Sequence, residues 1–210
     1  MKILCFPRGL ILIPAFIFIF NSLVHSEHPD SSLTKIEERT IFFKKAASYF
    51  NINPKFLKSI VFVERTLNYD WKDDALDIIL ANAGKNSSIG FCQVKLKTAY
   101  WIEKTLSDSS DIFFPGQIYN NILSVSKSPS ELIHKLRNDS LNILYAASYI
   151  RIIQSYWEKS GFSICNCPDI IGTIYSTGLF FRDGGIREPN SNPKSNFFGS
   201  KVLKVLHLFR

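Results

Sequence analysis

Asn53-Pro54-Lys55-Phe56-Leu57-Lys58-Ser59-Ile60-Val61-Phe62-Val63-Glu64-Arg65-Thr66-Leu67 decides how the rest of this chain is read. Asn53 can cap the free amides of a helix, and Pro54 suits its first position. Helical spacing then puts Leu57, Ile60, Val61 and Leu67 on one face. Lys55, Lys58, Arg65 and Thr66 fall on the opposite side, where water is expected. Glu64 breaks the pattern, because it points where the apolar residues point. A carboxylate there must be paired, protonated or open to a cleft, since an unpaired buried charge is expensive. Desolvation raises a carboxyl's pKa and fits it to donate a proton near neutral pH. A structural Glu that caps a neighbouring helix or pairs with a buried Arg fits the spacing equally well. Helix geometry leaves both readings open.

Around this helix, 210 residues are enough for one domain with a substantial core. An apolar share of 46% argues against overall disorder. The first 26 residues read as a targeting segment, with Lys2 and Arg8 ahead of an apolar run from Gly9 to Phe20 and small residues near Ser26. The run is short for a membrane span. It serves either as a cleavable signal or as an uncleaved anchor, so residues 27–210 are expected to work outside the cytoplasmic membrane. Membrane contact is expected only if that segment is retained.

The formal charge of +7 loses two with Lys2 and Arg8. A mild basic excess suits anionic polymers or plain solubility. No Lys/Arg cluster or aromatic-basic interleaving points to nucleic acid. Of the four cysteines Cys5 falls in the targeting segment, and once it is removed Cys92, Cys165 and Cys167 leave an odd count with no disulfide framework. Cys165-Asn166-Cys167 lacks zinc or redox spacing, and Cys92 reads as a small apolar packing residue. No metal or cofactor is expected.

Taken in order, residues 27–33 read as a polar lead-in, and Thr34 to Glu37 has capping-box spacing for one helix running to Phe50. Asn68 to Ser88 is polar and acidic, with Asp70, Asp73, Asp74 and Asp77, and a short helix is expected from Asp74 to Ala81. Asn86 to Gln93 reads as a tight loop leading into a helix from Val94 to Leu106. Ser128 should cap a helix from Pro129. Asp139 should cap the longest one, which is apolar nearly all round and ends at Gly161. Cys167-Pro168 opens another helix, residues 182–196 read as a surface loop, and Phe198 to Phe209 as a closing helix. No strand pattern stands out, so the fold is expected to be mainly α.

Four pieces in this order resemble the soluble lytic transglycosylase family, which shares the goose-type lysozyme fold. They are Ile52 to Leu57 leading to Glu64, Ser87-Ser88-Ile89-Gly90-Phe91-Cys92-Gln93 with Thr98-Ala99, Leu136 to Ile150 around Asn142, and Ile174-Tyr175-Ser176-Thr177-Gly178. The resemblance implies a lysozyme-like helical domain with its cleft beside a central buried helix. It implies an exported enzyme, periplasmic or secreted, that acts on peptidoglycan glycan strands. Glu64 would be acid and then base, closing a 1,6-anhydro ring on muramic acid. Gln93 would contact sugar, Tyr175 would orient Glu64, Ser87 and Ser88 would line a subsite, and Asn142 would secure the fold.

Arg65 departs from that family, which places a small Ser after its acid. This keeps open a non-catalytic glycan-binding protein on the same scaffold. A lysozyme-like muramidase is the other alternative, with one of Asp70, Asp73, Asp74 or Asp77 holding a hydrolytic water. The bland reading of those four is an exposed acidic loop.

Overall fold

The computed structural model describes residues 27–68 and 86–209. The N-terminal apolar segment, the four aspartates and the expected 74–81 helix lie outside the described residues. Among those described, eight α-helices and one two-stranded hairpin form the molecule, which is therefore mainly helical.

Helix α1 (Pro29–Glu38) starts earlier than the capping-box pattern suggests, with His28 Nδ1 accepting from the Asp30 amide. The expected single helix to Phe50 is two, because the chain breaks at Arg39 before α2 (Thr40–Phe50). At the break the Arg39 guanidinium reaches Asp139 at 2.7 Å and lies 4.6 Å over the Phe91 ring. These partners are remote in sequence, and local propensity carries no trace of them.

Helix α3 (Pro54–Asn68) opens as its sequence dictates, with Asn53 Oδ1 accepting from the Lys55 amide. Leu57, Ile60 and Val61 are fully buried, but so are most of the residues on the other side. The expected wet face is therefore incorrect at two of its cations. Lys58 is 5% exposed and donates to Glu37 and Thr40. Arg65 is 2% exposed. The reason is tertiary: α1 and α2 pack on one flank of α3, and the C-terminal helices on the other.

Strands β1 (Ser88–Ile89) and β2 (Val94–Lys95) pair antiparallel, Ser88 with Lys95 and Ile89 with Val94. Two-residue strands leave too short a period to read, so a hairpin stands where a loop and an unbroken helix were expected. Helix α4 (Leu96–Ser107) follows it directly. Helix α5 (Pro129–Arg137) is capped by Ser128 as its sequence indicates. Helix α6 (Asp139–Lys159) is capped by Asn138, one residue before the expected Asp139, through a bond from the Leu141 amide. It is buried on nearly every side from Asn142 to Trp157 and forms the central helix of the fold.

Helices α7 (Pro168–Thr177) and α8 (Phe197–Val205) close the chain as a tight pair, and a single 3-10 turn (Leu206–Leu208) replaces the last part of the expected helix. A Cβ on Gly199 would stand 2.0 Å from the Asp169 carbonyl, so only glycine allows this approach. Among the described residues no helix is long and apolar enough to cross a membrane.

Candidate active site

The C-terminal half of α3, the hairpin, the start of α4, the middle of α6 and the end of α7 meet around a cleft of about 460 Å³. Its described lining includes Glu64, Ser88, Gln93, Lys95, Thr98, Tyr149 and the run Tyr175 to Gly178. Four residues singled out in the sequence, Glu64, Ser88, Gln93 and Tyr175, thus share one cavity. Ser87 does not line it. It is 8% exposed, and its carbonyl accepts from the Leu96 amide at 3.1 Å, which ties the hairpin to α4.

Glu64 is partly buried at the cleft wall. Its carboxyl acts on two neighbours. Burial first, with Cys92 and Glu64 as further influences, holds the Tyr175 phenol well above its ordinary range. Burial does the same to the Cys92 thiol, with Glu64 adding to it. Tyr175 therefore stays neutral at the cleft and keeps a proton to donate. Cys92 is inert packing, as its flanking residues suggest.

The loop from Gly90 to Gln93 is fixed from three sides. Asn142, fully buried on α6, donates to the carbonyls of Ile89 and Leu136 at 2.9 Å and accepts from the Cys92 amide at 2.6 Å. Gly90 has φ +75°, and a Cβ there would lie 2.2 Å from the Leu136 carbonyl. Gln93 takes φ 53°, an unusual conformation for a residue with a side chain, while its amide group donates back to the Gly90 carbonyl at 3.1 Å. Strain held this firmly at a cleft marks a positioned side chain.

Arg65 supplies the third restraint and lies outside the described lining of the cleft. Its Nη1 donates to the Phe91 carbonyl at 2.8 Å, its Nε donates to Glu27 at 2.8 Å, and its guanidinium carbon sits 4.3 Å over the Phe91 ring. With Arg39 also over that ring, two cations hold Phe91. Residues 27–33 are thus no mere polar lead-in, because Glu27 completes this brace at 7% exposure.

Tyr149 is a cleft residue that sequence reading left in the core of α6. Its hydroxyl accepts from the Leu179 amide at 3.2 Å, and its ring centre lies 5.6 Å from that of Tyr175. Burial raises its phenol to about 12, against the lowering effects of that amide and of Arg187. Glu103 was also passed over. It stands four residues after Ala99 and three before Leu106, the same stripe position that singled out Glu64. It is fully buried and accepts from the Ser126 amide and hydroxyl, from Lys135 at 3.1 Å and from the Tyr145 hydroxyl. That is a satisfied structural carboxylate.

A family model described as the catalytic domain of the type VI secretion system (T6SS) peptidoglycan muramidase Tse3 matches residues 18–155. The match takes in Glu64, the hairpin, Asn142 and Tyr149, and stops within α6 before Tyr175. The chain matches none of the curated proteins with which it was compared.

Proposed function

The chain belongs to the family of T6SS peptidoglycan muramidase catalytic domains, and from that premise we propose that it cleaves the β-1,4 bond between N-acetylmuramic acid and N-acetylglucosamine, with Glu64 as the proton donor. The observation that carries this reading is the position of Glu64. Among the described residues lining the cleft it is the one carboxylate, surrounded by neutral hydroxyl and amide groups and by Lys95.

In this reading the strand lies along the cleft and Glu64 protonates the glycosidic oxygen as the bond breaks. A proton in flight at this step is worth about 10²–10⁴ in rate. Gln93 and Ser88, on the rigid hairpin, supply hydrogen bonds to sugar substituents. Tyr175 holds its proton and can donate it toward Glu64 or substrate. Ser87 acts from behind, through the hairpin backbone. With one carboxylate among the described lining, the step taken first is closure of a 1,6-anhydro ring, in which the C6 hydroxyl attacks the anomeric carbon as the glycosidic bond is lost and Glu64 takes back the hydroxyl proton.

Hydrolysis is the second reading. Hydrolases that invert need a second carboxylate to hold water on the far side of the sugar. The family's description as muramidases supports it, and Asp70, Asp73, Asp74 and Asp77 follow α3 in sequence. Digestion of purified sacculi followed by mass analysis separates the two. Anhydro products are lighter by one water and resist borohydride reduction, whereas hydrolysis leaves reducing ends. Glu64→Gln should abolish release of either product while leaving the melting temperature unchanged. Full activity in that variant would assign the acid elsewhere. Intact sacculi with wild-type protein, together with glycan binding, would favour a non-catalytic binding role. Family membership also supports action on the wall in the periplasm, in the setting of type VI secretion.

A further inference from the structure

We propose that Arg187 anchors a carboxylate of the muramoyl units at the end of the cleft beyond Tyr149; this rests on the reading of the cleft as a peptidoglycan site. After α7 the chain turns back on itself, with Phe180 bridged to Ile186 and the Arg187 amide donating to the Leu179 carbonyl at 2.8 Å. The Leu179 amide is in turn held by the Tyr149 hydroxyl. This places Arg187 one residue pair from the cleft lining at Gly178 and Tyr149. Arg187 also counts among the influences that lower the Tyr149 phenol against burial, in keeping with that closeness.

Arg187 is held in place without an acidic partner among the described residues. Its guanidinium carbon lies 4.0 Å over the Phe181 ring, and the loop beneath is closed by the Phe181 amide donating to Gly185 at 2.7 Å. Its Nε is buried with no hydrogen-bond partner, and among the described residues its side chain forms no ion pair. The nearest acids in sequence are engaged elsewhere: Asp183 accepts from the Gly185 amide, and Glu188 from the Tyr156 hydroxyl. With Nε covered, the outer edge formed by the two Nη groups is the one a planar anion could meet, and a carboxylate fits such an edge with two parallel hydrogen bonds. Muramoyl units carry such groups, either on the lactyl ether or on the stem peptide. Arg187 lies past residue 155, beyond the reach of the family match.

The test uses the full chain with Glu64→Gln, so that strands are bound and not consumed, with affinity measured on soluble peptidoglycan strands. Four strand preparations are compared: with stem peptides, after amidase removal of the peptides, and each of these after carbodiimide coupling of a neutral amine to erase the carboxylates. Adding Arg187→Gln should weaken binding to carboxylate-bearing strands about tenfold, the scale of one charge-assisted contact at a part-exposed site. It should change nothing on amidated strands, and Arg187→Lys should restore part of the loss. Loss on peptide-bearing strands alone assigns the stem peptide, and loss on stripped strands the lactyl group. Phe181→Leu, which removes the stacking support, should show the same carboxylate dependence at smaller size.

Equal loss on charged and amidated strands, or no loss on either, overturns the proposal while wild-type cleavage of sacculi still stands. Carboxylate-dependent binding without wild-type cleavage keeps Arg187 and removes the catalytic reading. Failure to bind any strand overturns both.

Discussion

Replacing Glu27 by Gln removes the acidic partner of Arg65 without changing shape. Burial alone would raise the pKa of Glu27. Hydrogen bonds from Lys35 and Ser32, and the charge and hydrogen bond of Arg65, more than offset this and hold the carboxyl at about 2, against an ordinary 4.5. Its side chain is only 6% exposed, so water screens the pair little. A depression of this size corresponds to about 3 kcal/mol of folded-state stability. That agrees with the roughly 3–5 kcal/mol lost when a buried ion pair loses one member. Because the folded-state pKa lies below the unfolded one, the contribution is complete above about pH 4.5 and fades as the pH falls toward about 2.

Urea unfolding of wild type and Glu27→Gln, followed by circular dichroism, measures it. At about pH 7 the variant should be less stable by about 3 kcal/mol, and by about pH 3 the gap should narrow to less than half. A gap under about 1 kcal/mol near neutrality, or one that ignores pH, would refute the assignment of Glu27 as the brace behind Phe91. Loss of the brace should also loosen the Gly90 to Gln93 loop and raise KM for glycan strands in the same variant.

Other perturbations probe the same framework. Asn142→Ala removes three buried hydrogen bonds at once and should cost about 4 kcal/mol in the same unfolding assay. Gly90→Ala forces a side chain into positive φ against a carbonyl and should destabilise by at least about 3 kcal/mol, most simply seen as a large drop in melting temperature. Tyr145→Phe leaves the buried Glu103 one donor short and should cost about 2 kcal/mol in the same unfolding assay.

The two stripe glutamates mark how far sequence reaches. Glu64 and Glu103 sit at equivalent spacing on apolar helix faces, and helix periodicity treats them alike. Tertiary packing separates them. Lys135, Ser126 and Tyr145 converge on Glu103 from α5, the segment before α5 and α6, whereas Glu64 borders the cleft. Arg65 carries the same lesson in reverse: its spacing assigned it to water, yet Glu27 and Phe91 hold it in the interior. The break at Arg39 and the short hairpin were illegible for a related reason, since their causes are contacts far away along the chain.

Local rules alone determined the helical class, the caps at Asn53 and Ser128, the buried character of α6 and the inward direction of Glu64, because each depends on neighbours within a turn or two. Only the assembled fold decided which carboxylate meets a cavity, which cations are buried, that Tyr149 joins the cleft and that the Leu179–Arg187 turn is tied to it. Those outcomes depend on helices meeting across distances that a periodicity of 3.6 residues does not encode.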